Sequence, residues 1–166
     1  MTRPLLIRNL EQADARTFLE VHRASVRALA APNYAPEILG DWAPWPVDAD
    51  AVNALLRNWE QEHRLIAEDG GIALGVGALA LHKGELTACY VRPDAARRGV
   101  GAAIVQRLEA IALGVGLAAL ELDSSIGAAP FYQARGYRVL GHSEHLLSSG
   151  RAMPAVRMRK LLVSGA

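Results

Sequence analysis

Apolar residues in the N-terminal part of the chain recur at the spacing of an α-helix. A short apolar run at Leu5–Arg8 predicts a strand, and the chain from Asp14 onward predicts a long amphipathic helix. The apolar face of that helix comprises Ala15, Phe18, Leu19, Val21, His22, Val26 and Leu29. Pro32 ends the helix, and a segment rich in proline and tryptophan follows. Pro36 begins a short helix within that segment, and Asp48–Glu60 predicts a further helix.

The hydrophobic period then changes to that of β-strands. Arg64–Glu68, Ile72–Leu81 and Leu86–Val91 predict three strands. The two connections between them, Asp69-Gly70-Gly71 and His82-Lys83-Gly84, have the composition of hairpin turns. These strands are therefore expected to form an antiparallel meander.

The C-terminal part alternates between the two kinds of pattern. Gly99–Leu113 predicts a helix, Ala119–Asp123 a buried strand, and Gly127–Arg135 a short helix. Tyr137–Gly141 and Ala155–Leu162 predict two final strands. The whole order predicts a mixed α/β chain without repeats or an evident linker, forming a single domain over residues 1–166.

Composition and charge narrow the class of protein. The 166 residues are 51% hydrophobic with a formal net charge of +1, which predicts a globular protein and gives no reason to expect a nucleic-acid partner. Cys89 is the only cysteine, so no disulfide forms within the chain. The apolar runs are too short for a signal peptide or a membrane span. These features together predict a cytoplasmic protein that is not in a membrane.

The stretch Val91–Val105, between a predicted strand and a predicted helix, combines three arginines with two glycines. The first N–H groups of a helix lack intrahelical partners and carry the positive end of the helix dipole. Glycine lets a ligand approach the backbone closely, and Arg97 and Arg98 add positive charge. The stretch is either a site for an anion of the size of pyrophosphate or an ordinary helix start with solvated arginines.

Two familiar phosphate motifs fit this stretch poorly. The P-loop string G-x-x-x-x-G-K-[ST] is absent. A dinucleotide-binding turn, G-x-G-x-x-G, would use Gly99 and Gly101 but meets Ile104 at its third glycine. Glu121 and Asp123 do lie near the distance expected of that motif's ribose-binding acid. However, Pro93–Arg98 separates the strand from the glycines, where the dinucleotide motif has a tight turn.

A third motif fits better, and a second block accompanies it. The run Arg98, Gly99, Val100, Gly101, Ala102 and Ala103 matches R/Q-x-x-G-x-G/A, the turn of the GNAT acyl-CoA-dependent N-acetyltransferases. The run Ser125–Tyr137 resembles that family's N-x-x-A-x-x-F-Y-x-x-x-G-F/Y block, with Ser125 where asparagine is usual. Ala155–Lys160 is similar to the family's last strand. The chain therefore resembles the GNAT family over most of its length.

This resemblance implies a fold and a co-substrate. The fold would be a GNAT-like α/β structure with a central mixed, mostly antiparallel sheet flanked by helices, and the co-substrate acetyl-CoA. Its pantetheine would pair with the strand end at Cys89, Tyr90 and Val91, and its pyrophosphate would lie on the backbone of the Arg98–Ala103 turn. Ser125 and Tyr132 would complete the coenzyme contacts. The N–H groups at the strand end would also polarise the thioester carbonyl.

The resemblance also implies two catalytic candidates. Tyr132 would act as a general acid, because a tyrosine is protonated at neutral pH and can give a proton to a departing thiolate; the alternative is an aromatic core residue. Glu85, six positions before Val91, would act as the base, although a solvated charge beside a turn is equally ordinary. Cys89 is expected to be a small core residue rather than a nucleophile.

The acceptor side of the site is less defined by the sequence. In similar proteins the first helices and the following loop cover the acceptor, which places Tyr34 and Trp42 as substrate-binding residues, or as anchors of a proline-rich loop. The expected acceptor is the primary amine of a small molecule. A peptide N-terminus or a protein lysine, and a non-catalytic acyl-CoA sensor, stay open as alternatives. A homodimer is what the resemblance suggests, and His142 and His145 are expected in a loop without a metal.

Overall fold

The computed structural model describes residues 3–58 and 60–163, and its centre is a mixed β-sheet. The strands in the described residues are β1 (Leu6–Asn9), β2 (Glu62–Asp69), β3 (Ile72–Ala80), β4 (Glu85–Val91), β5 (Ala119–Ser124), β6 (Arg138–Leu146) and β7 (Ala152–Leu161). Their order across the sheet is β1-β2-β3-β4-β5-β7-β6. All neighbouring strands are antiparallel except β4 and β5, which are parallel. The predicted mixed, mostly antiparallel sheet is thus confirmed.

The sheet has helices on both faces. They are α1 (Ala15–Ser25), α2 (Pro36–Trp42), α3 (Ala49–Arg57), α4 (Val100–Gly114) and α5 (Ala129–Gln133). Side chains alternate along β2, so Leu65 packs in the core cluster under α4 and Ile66 in the cluster with Phe18 of α1. The expected α/β arrangement, with helices flanking the sheet, is therefore present. None of the helices in these residues is long and apolar enough to cross a membrane.

Two glycines of β3 let α4 approach the sheet closely. A Cβ at Gly75 would lie 2.8 Å from Ile104 Cδ1 and 2.9 Å from Val100 Cγ1, and a Cβ at Gly77 would overlap Ile104. Both distances are too short for carbon atoms in contact, so only glycine fits beneath this helix. The start of α4 is consequently held directly over β3 and beside β4.

The parallel strands β4 and β5 separate soon after they begin. Glu85 and Glu121 form the register pair that joins them, and the Glu121 N–H donates to the Gly84 carbonyl at 2.9 Å. On its other side β4 has a bulge, because Ala88 pairs with Ala78 while Leu86 pairs with Leu79, which leaves Thr87 without a partner in β3. The result is a wedge-shaped opening between β4 and β5, in the middle of the sheet.

Most predicted elements are confirmed with shifted ends, and the two-glycine turn at Gly70 and Gly71 has the left-handed φ values, +58° and +83°, that such a hairpin needs. The predicted strand Tyr137–Gly141 is present, but its predicted C-terminal end was wrong. The strand bulges at Leu140, which has no register partner in β7, and continues to Leu146. It is an exposed edge strand whose sequence has no apolar period to reveal it. Trp59, within the predicted helix Asp48–Glu60, lies outside the described residues.

Candidate active site

The opening between β4 and β5 leaves backbone groups of β4 free for a ligand. The Arg92 N–H donates to the Leu74 carbonyl of β3 at 2.8 Å. Backbone direction alternates along a strand, so Tyr90 also faces β3 with its N–H and C=O, while those of Cys89 and Val91 face the opening. An extended chain carrying amides could pair with these groups as an additional strand would. Tyr90 contributes its side chain rather than its backbone.

The N-terminus of α4 faces the same opening. Gly99 is its N-cap, with φ of +81°, and the first helical hydrogen bond runs from the Ala103 N–H to the Gly99 carbonyl at 3.1 Å. This leaves the N–H groups of Val100, Gly101 and Ala102 without intrahelical partners, at the positive end of the helix dipole. The geometry suits an anion of the size of pyrophosphate.

Arg97, Arg98 and Gly101, all close to the start of α4, differ in what surrounds them. Arg97 lies in the wall of the adjoining cavity, with a left-handed φ of +63°. Arg98 is exposed. A Cβ at Gly101 would lie 3.2 Å from Phe131 Cζ and 3.4 Å from Val91 Cγ2. A side chain at Gly101 would thus press against Phe131 of α5 as well as restrict access to the backbone.

A cavity of about 360 Å³ adjoins the start of α4, and we call it the outer cavity. Its walls come from α1 and the helical residues after it, from the end of α2, from β4, from residues 96–101 and from the segment leading into α5. The residues in its wall are Ser25, Val26, Leu29, Ala30, Trp42, Cys89, Tyr90, Val91, Ala96, Arg97, Gly101, Ser125, Gly127, Ala128 and Phe131. Of the predicted coenzyme contacts, the outer cavity brings together the strand end, Gly101 and Ser125.

A smaller cavity of about 70 Å³ lies deeper in the opening, and we call it the inner cavity. Its wall consists of Trp42, Leu86, Thr87, Ala88, Cys89, Tyr90, Leu122, Asp123, Ser125, Tyr132, His145, Met153 and Ala155. The two cavities share Trp42, Cys89, Tyr90 and Ser125. Ligands in the two cavities would therefore meet beside Cys89 and Tyr90 of β4.

Tyr132, the predicted acid, lies in the wall of the inner cavity and is 7% exposed. Its pKa is raised well above the usual value, first by burial and then by the neighbouring Cys89 and Tyr90. A tyrosine of this kind stays protonated at any physiological pH. Its hydroxyl can therefore always donate a hydrogen bond to a developing thiolate.

Cys89 lies in the walls of both cavities, but its thiol is not a nucleophile at neutral pH. Burial raises the pKa of its thiol to about 12, so at neutral pH it carries no thiolate that could attack a substrate. Its Sγ lies 3.7 Å from the Gly101 carbonyl. The expectation of a packing residue agrees with this placement.

Glu85, the predicted base, is absent from the walls of both cavities. It lies at the closed end of the β4–β5 opening, where the two strands are still paired. Its carboxylate is 3.4 Å from Arg157 Nη2. The structure therefore does not bring Glu85 together with Tyr132, and its role as base stays a prediction.

The two aromatic residues expected near the acceptor differ in position. Trp42 lies in the walls of both cavities. Tyr34 lies in neither; its hydroxyl donates to the Pro154 carbonyl at 2.6 Å and accepts from the Ile126 N–H at 3.0 Å. Tyr34 thus joins the N-terminal half of the chain to β7 and to the segment before α5, the anchoring role that the sequence left open.

The segment after Trp42 is fixed by arginines of α1 and the turn that follows it. Arg23, which is 7% exposed, donates to the Pro44 carbonyl at 2.6 Å, and Arg27 donates to the Ala43 carbonyl at 2.9 Å. Guanidinium donors on backbone carbonyls position a loop without any negative partner. Trp42 is therefore held against both cavities.

Three polar residues of the inner cavity were not predicted as site residues from the sequence: Thr87, Asp123 and His145. His142 and His145 were wrongly expected in a loop, since both lie in β6. Ser143 and His145 alternate toward the same face of that strand, and Asp123 is 3.0 Å from Ser143 Oγ and 3.6 Å from His145 Nδ1. The two-residue spacing of Ser143 and His145 would have placed both on one face only if β6 had been recognised from the sequence.

A family model and a curated relative match this chain. A family model described as "Acetyltransferase (GNAT) family" matches residues 10–137. The uncharacterized N-acetyltransferase YjcF of Bacillus subtilis (strain 168) is 32% identical over 103 residues, which are 61% of this chain and 71% of that protein.

Solved structures with the same fold include acetyltransferases. A GCN5-related N-acetyltransferase from Rhodopseudomonas palustris is 28% identical, with a TM-score of 0.84 over 98% of each chain. The PaiA N-acetyltransferase from Thermoplasma acidophilum, crystallised with coenzyme A, has a TM-score of 0.74 and is 20% identical over 95% of this chain and 99% of its own. YncA from Salmonella typhimurium, solved with acetyl-CoA, has a TM-score of 0.66 and 20% identity over 98% of this chain and 96% of its own.

Proposed function

Because the chain belongs to the GNAT acetyltransferase family, whose co-substrate is acetyl-CoA, we propose that it acetylates the primary amine of a small molecule by direct attack in a ternary complex. The observation that carries this proposal is the pair of adjoining cavities at the opening between β4 and β5. The outer cavity has the size and the free backbone groups for an acyl-pantetheine arm. The inner cavity is small and lined by polar side chains.

The outer cavity and the start of α4 beside it fit the coenzyme in three respects. The free backbone groups of Cys89 and Val91 would pair with the pantetheine amides, as a strand edge pairs with an extended peptide. The N–H groups of Val100, Gly101 and Ala102 would bind the pyrophosphate. Bound acetyl-CoA supplies the activated thioester, and the N–H groups that face the opening can stabilise negative charge on its carbonyl oxygen.

Tyr132 supports the second half of the reaction. Its pKa lies above the pKa of about 8.5 of a free thiol, so its hydroxyl would give up its proton completely only if a proton from the amide nitrogen replaced it. A hydrogen bond from its hydroxyl, strengthened as charge builds on the sulfur, would stabilise the departing group in the transition state. Tyr132 would thus act only when the bond is breaking.

The inner cavity favours a small acceptor. Its volume of about 70 Å³, against about 360 Å³ for the outer cavity, favours a slender amine-bearing group, so the rest of a larger acceptor would extend beyond it. Trp42 would cover the acceptor as it meets the acetyl group. A cytoplasmic location and a homodimer stay predictions from the sequence.

The proposal is tested by measuring coenzyme A release from acetyl-CoA over a panel of alkylamines, diamines, amino acids, amino-acid amides and short peptides. We expect turnover with small primary amines and none with secondary amides or alcohols. Tight acetyl-CoA binding by calorimetry without release of coenzyme A for any acceptor would instead favour the sensor. Activity confined to peptides or protein lysines would contradict the small-molecule acceptor.

A further inference from the structure

We propose that Asp123 and His145 form the acceptor-binding pair of the inner cavity, in which Asp123 holds the ammonium form of the acceptor and His145 removes its proton. This inference rests on the proposed function and names residues that carry the first half of the reaction. Both residues lie in the wall of the cavity that also contains Tyr132. The pair and Tyr132 are thus the ionisable groups on β5, β6 and α5 that face one small space.

The carboxylate of Asp123 is fixed by three neighbours. Arg157 Nη1 lies 3.3 Å from its Oδ1, and Ser143 Oγ donates to the same oxygen at 3.0 Å. Its Oδ2 faces His145 Nδ1 at 3.6 Å, a distance of charge attraction rather than of a hydrogen bond. Oδ2 therefore has lone pairs to spare for an ammonium group, and the Asp123 side chain is only 20% exposed.

His145 combines access to the cavity with access to water. Its side chain is 49% exposed, although the residue is part of the cavity wall. With Nδ1 toward Asp123, Nε2 is the nitrogen left to take a proton, and Asp123 stabilises the imidazolium that results. A proton accepted from the substrate can then pass to solvent.

The charges around the pair favour a cation. Arg157 is shared by three carboxylates, lying 3.4 Å from Glu85, 3.9 Å from Glu121 and 3.3 Å from Asp123. One guanidinium against three carboxylates leaves an excess of negative charge beside the cavity. The other ionisable groups in the wall, Cys89, Tyr90 and Tyr132, are held neutral by burial, which raises their pKa. An acceptor carboxylate would therefore be repelled, and an ammonium attracted.

Thr87, the bulged residue of β4, is a further polar residue in the wall of the inner cavity. Its Oγ1 is buried and has no hydrogen-bond partner among the described residues, so this hydroxyl does not compete with the acceptor for Asp123 or His145.

The chemical step balances with these residues alone and the two substrates. His145 takes one proton from the ammonium, and the neutral amine attacks the thioester carbonyl carbon, forming the C–N bond. The C–S bond then breaks, and the sulfur takes a proton from the Tyr132 hydroxyl. The extra proton of the amide nitrogen passes to the Tyr132 oxygen, which returns the tyrosine to its starting state. The proton on His145 leaves to water, so the products are an acetamide, coenzyme A and one proton.

The test is the pH dependence of kcat/KM for the best amine of the panel, measured for the parent and for His145→Gln. We expect His145→Gln to lower kcat/KM at pH 7 by about 10²-fold or more and to approach the parent at high pH, where the amine is already neutral. His142→Gln is the matched control, because His142 is exposed on the opposite face of the same strand. It should behave as the parent does.

Asp123→Asn provides a readout besides turnover. Titration of the same amine into enzyme saturated with coenzyme A should show binding at least tenfold weaker than in the parent, while coenzyme A binds equally. In the panel, alkylamines should be preferred over amino acids of equal length. A parent-like pH profile for His145→Gln, or a profile altered only by Glu85→Gln, would overturn the inference while leaving the proposed function intact. A parent enzyme without turnover on any amine would overturn both.

Discussion

At the scale of single residues, Tyr132 is the side chain whose chemistry can be isolated most cleanly. Tyr132→Phe removes the hydroxyl in the inner cavity and keeps the ring that packs 5.0 Å from Phe131 and 5.7 Å from Tyr137, measured between ring centroids. We expect kcat to fall by about 10²- to 10⁴-fold, with the acetyl-CoA Kd within about threefold of the parent. Steady-state kinetics and calorimetry measure the two effects.

Tyr137→Phe is the control for this substitution. Tyr137 is 2% exposed and packs its ring against that of Tyr132, but it lies in the wall of neither cavity. Its turnover should match that of the parent. Equal turnover of Tyr132→Phe and the parent would remove the acid role.

A second residue-scale prediction concerns the start of α4. Gly101→Glu would abolish coenzyme binding, but it would also press against Phe131, so Ala102→Glu is the cleaner test. A carboxylate in the first turn of a helix does not harm stability, but at Ala102 it would repel pyrophosphate. We expect acetyl-CoA to bind at least tenfold more weakly, by calorimetry, with an unchanged melting temperature.

Gln106→Glu carries the same charge one turn further along α4, on an exposed side chain. Its affinity for acetyl-CoA should stay close to that of the parent, because the helix-terminal effect fades within the first turn. If Ala102→Glu also bound normally, the N-terminus of α4 would not be the pyrophosphate site.

At the scale of elements, the contact between β3 and α4 determines where the coenzyme site lies. Gly77→Ala should lower the free energy of unfolding by about 1–3 kcal/mol, because the added methyl group would overlap Ile104. Urea denaturation measures this change. Turnover per folded molecule should fall as well, since a displaced α4 carries the anion-binding N–H groups with it.

The matched glycine for this comparison is Gly114, the last residue of α4. A Cβ there would contact nothing within 4 Å, and its φ is not left-handed. Gly114→Ala should therefore leave the free energy of unfolding unchanged or raise it by about 0.5–1 kcal/mol. A loss equal to that of Gly77→Ala would contradict the close packing of α4 on β3.

At the scale of the whole molecule, His22 links stability to pH. Its ring packs against those of Tyr90 and Trp42, with centroids 4.3 Å and 6.2 Å away. Burial, and then the nearby Arg23, lower its pKa from 6.5 to about 4. Between these two values the unfolded chain binds a proton at this position that the folded chain does not. The free energy of unfolding therefore falls as the pH decreases through this window.

Because of this titration, we expect the free energy of unfolding to fall by about 2 kcal/mol between pH 7 and pH 5. His22→Phe keeps an aromatic ring against Tyr90 and Trp42 and removes the titration, so its free energy of unfolding should change much less over the same range. Denaturation at the two pH values measures both. A pH dependence that is the same in His22→Phe and in the parent would exclude His22 as the cause.

Sequence alone was sufficient for most of the fold, because its signals are local. Hydrophobic period identified the helices and inner strands, paired glycines identified the Gly70–Gly71 hairpin, and the turn beginning at Arg98 together with the Ser125–Tyr137 block indicated the family and acetyl-CoA. These features depend on backbone preferences and on residues close together in the chain. The edge strand β6 escaped, because an exposed strand needs no apolar alternation.

Only the tertiary structure decided which side chains lie together in the same cavity. It separated Glu85 from both cavities, gave Tyr34 an anchoring role, and brought Asp123 and His145 to the same cavity as Tyr132. The physical reason is that β4 and β5 part after a single register pair, so side chains from distant segments converge on the resulting opening. Such convergence depends on how strands are ordered and splayed in space, which no local pattern in the chain encodes.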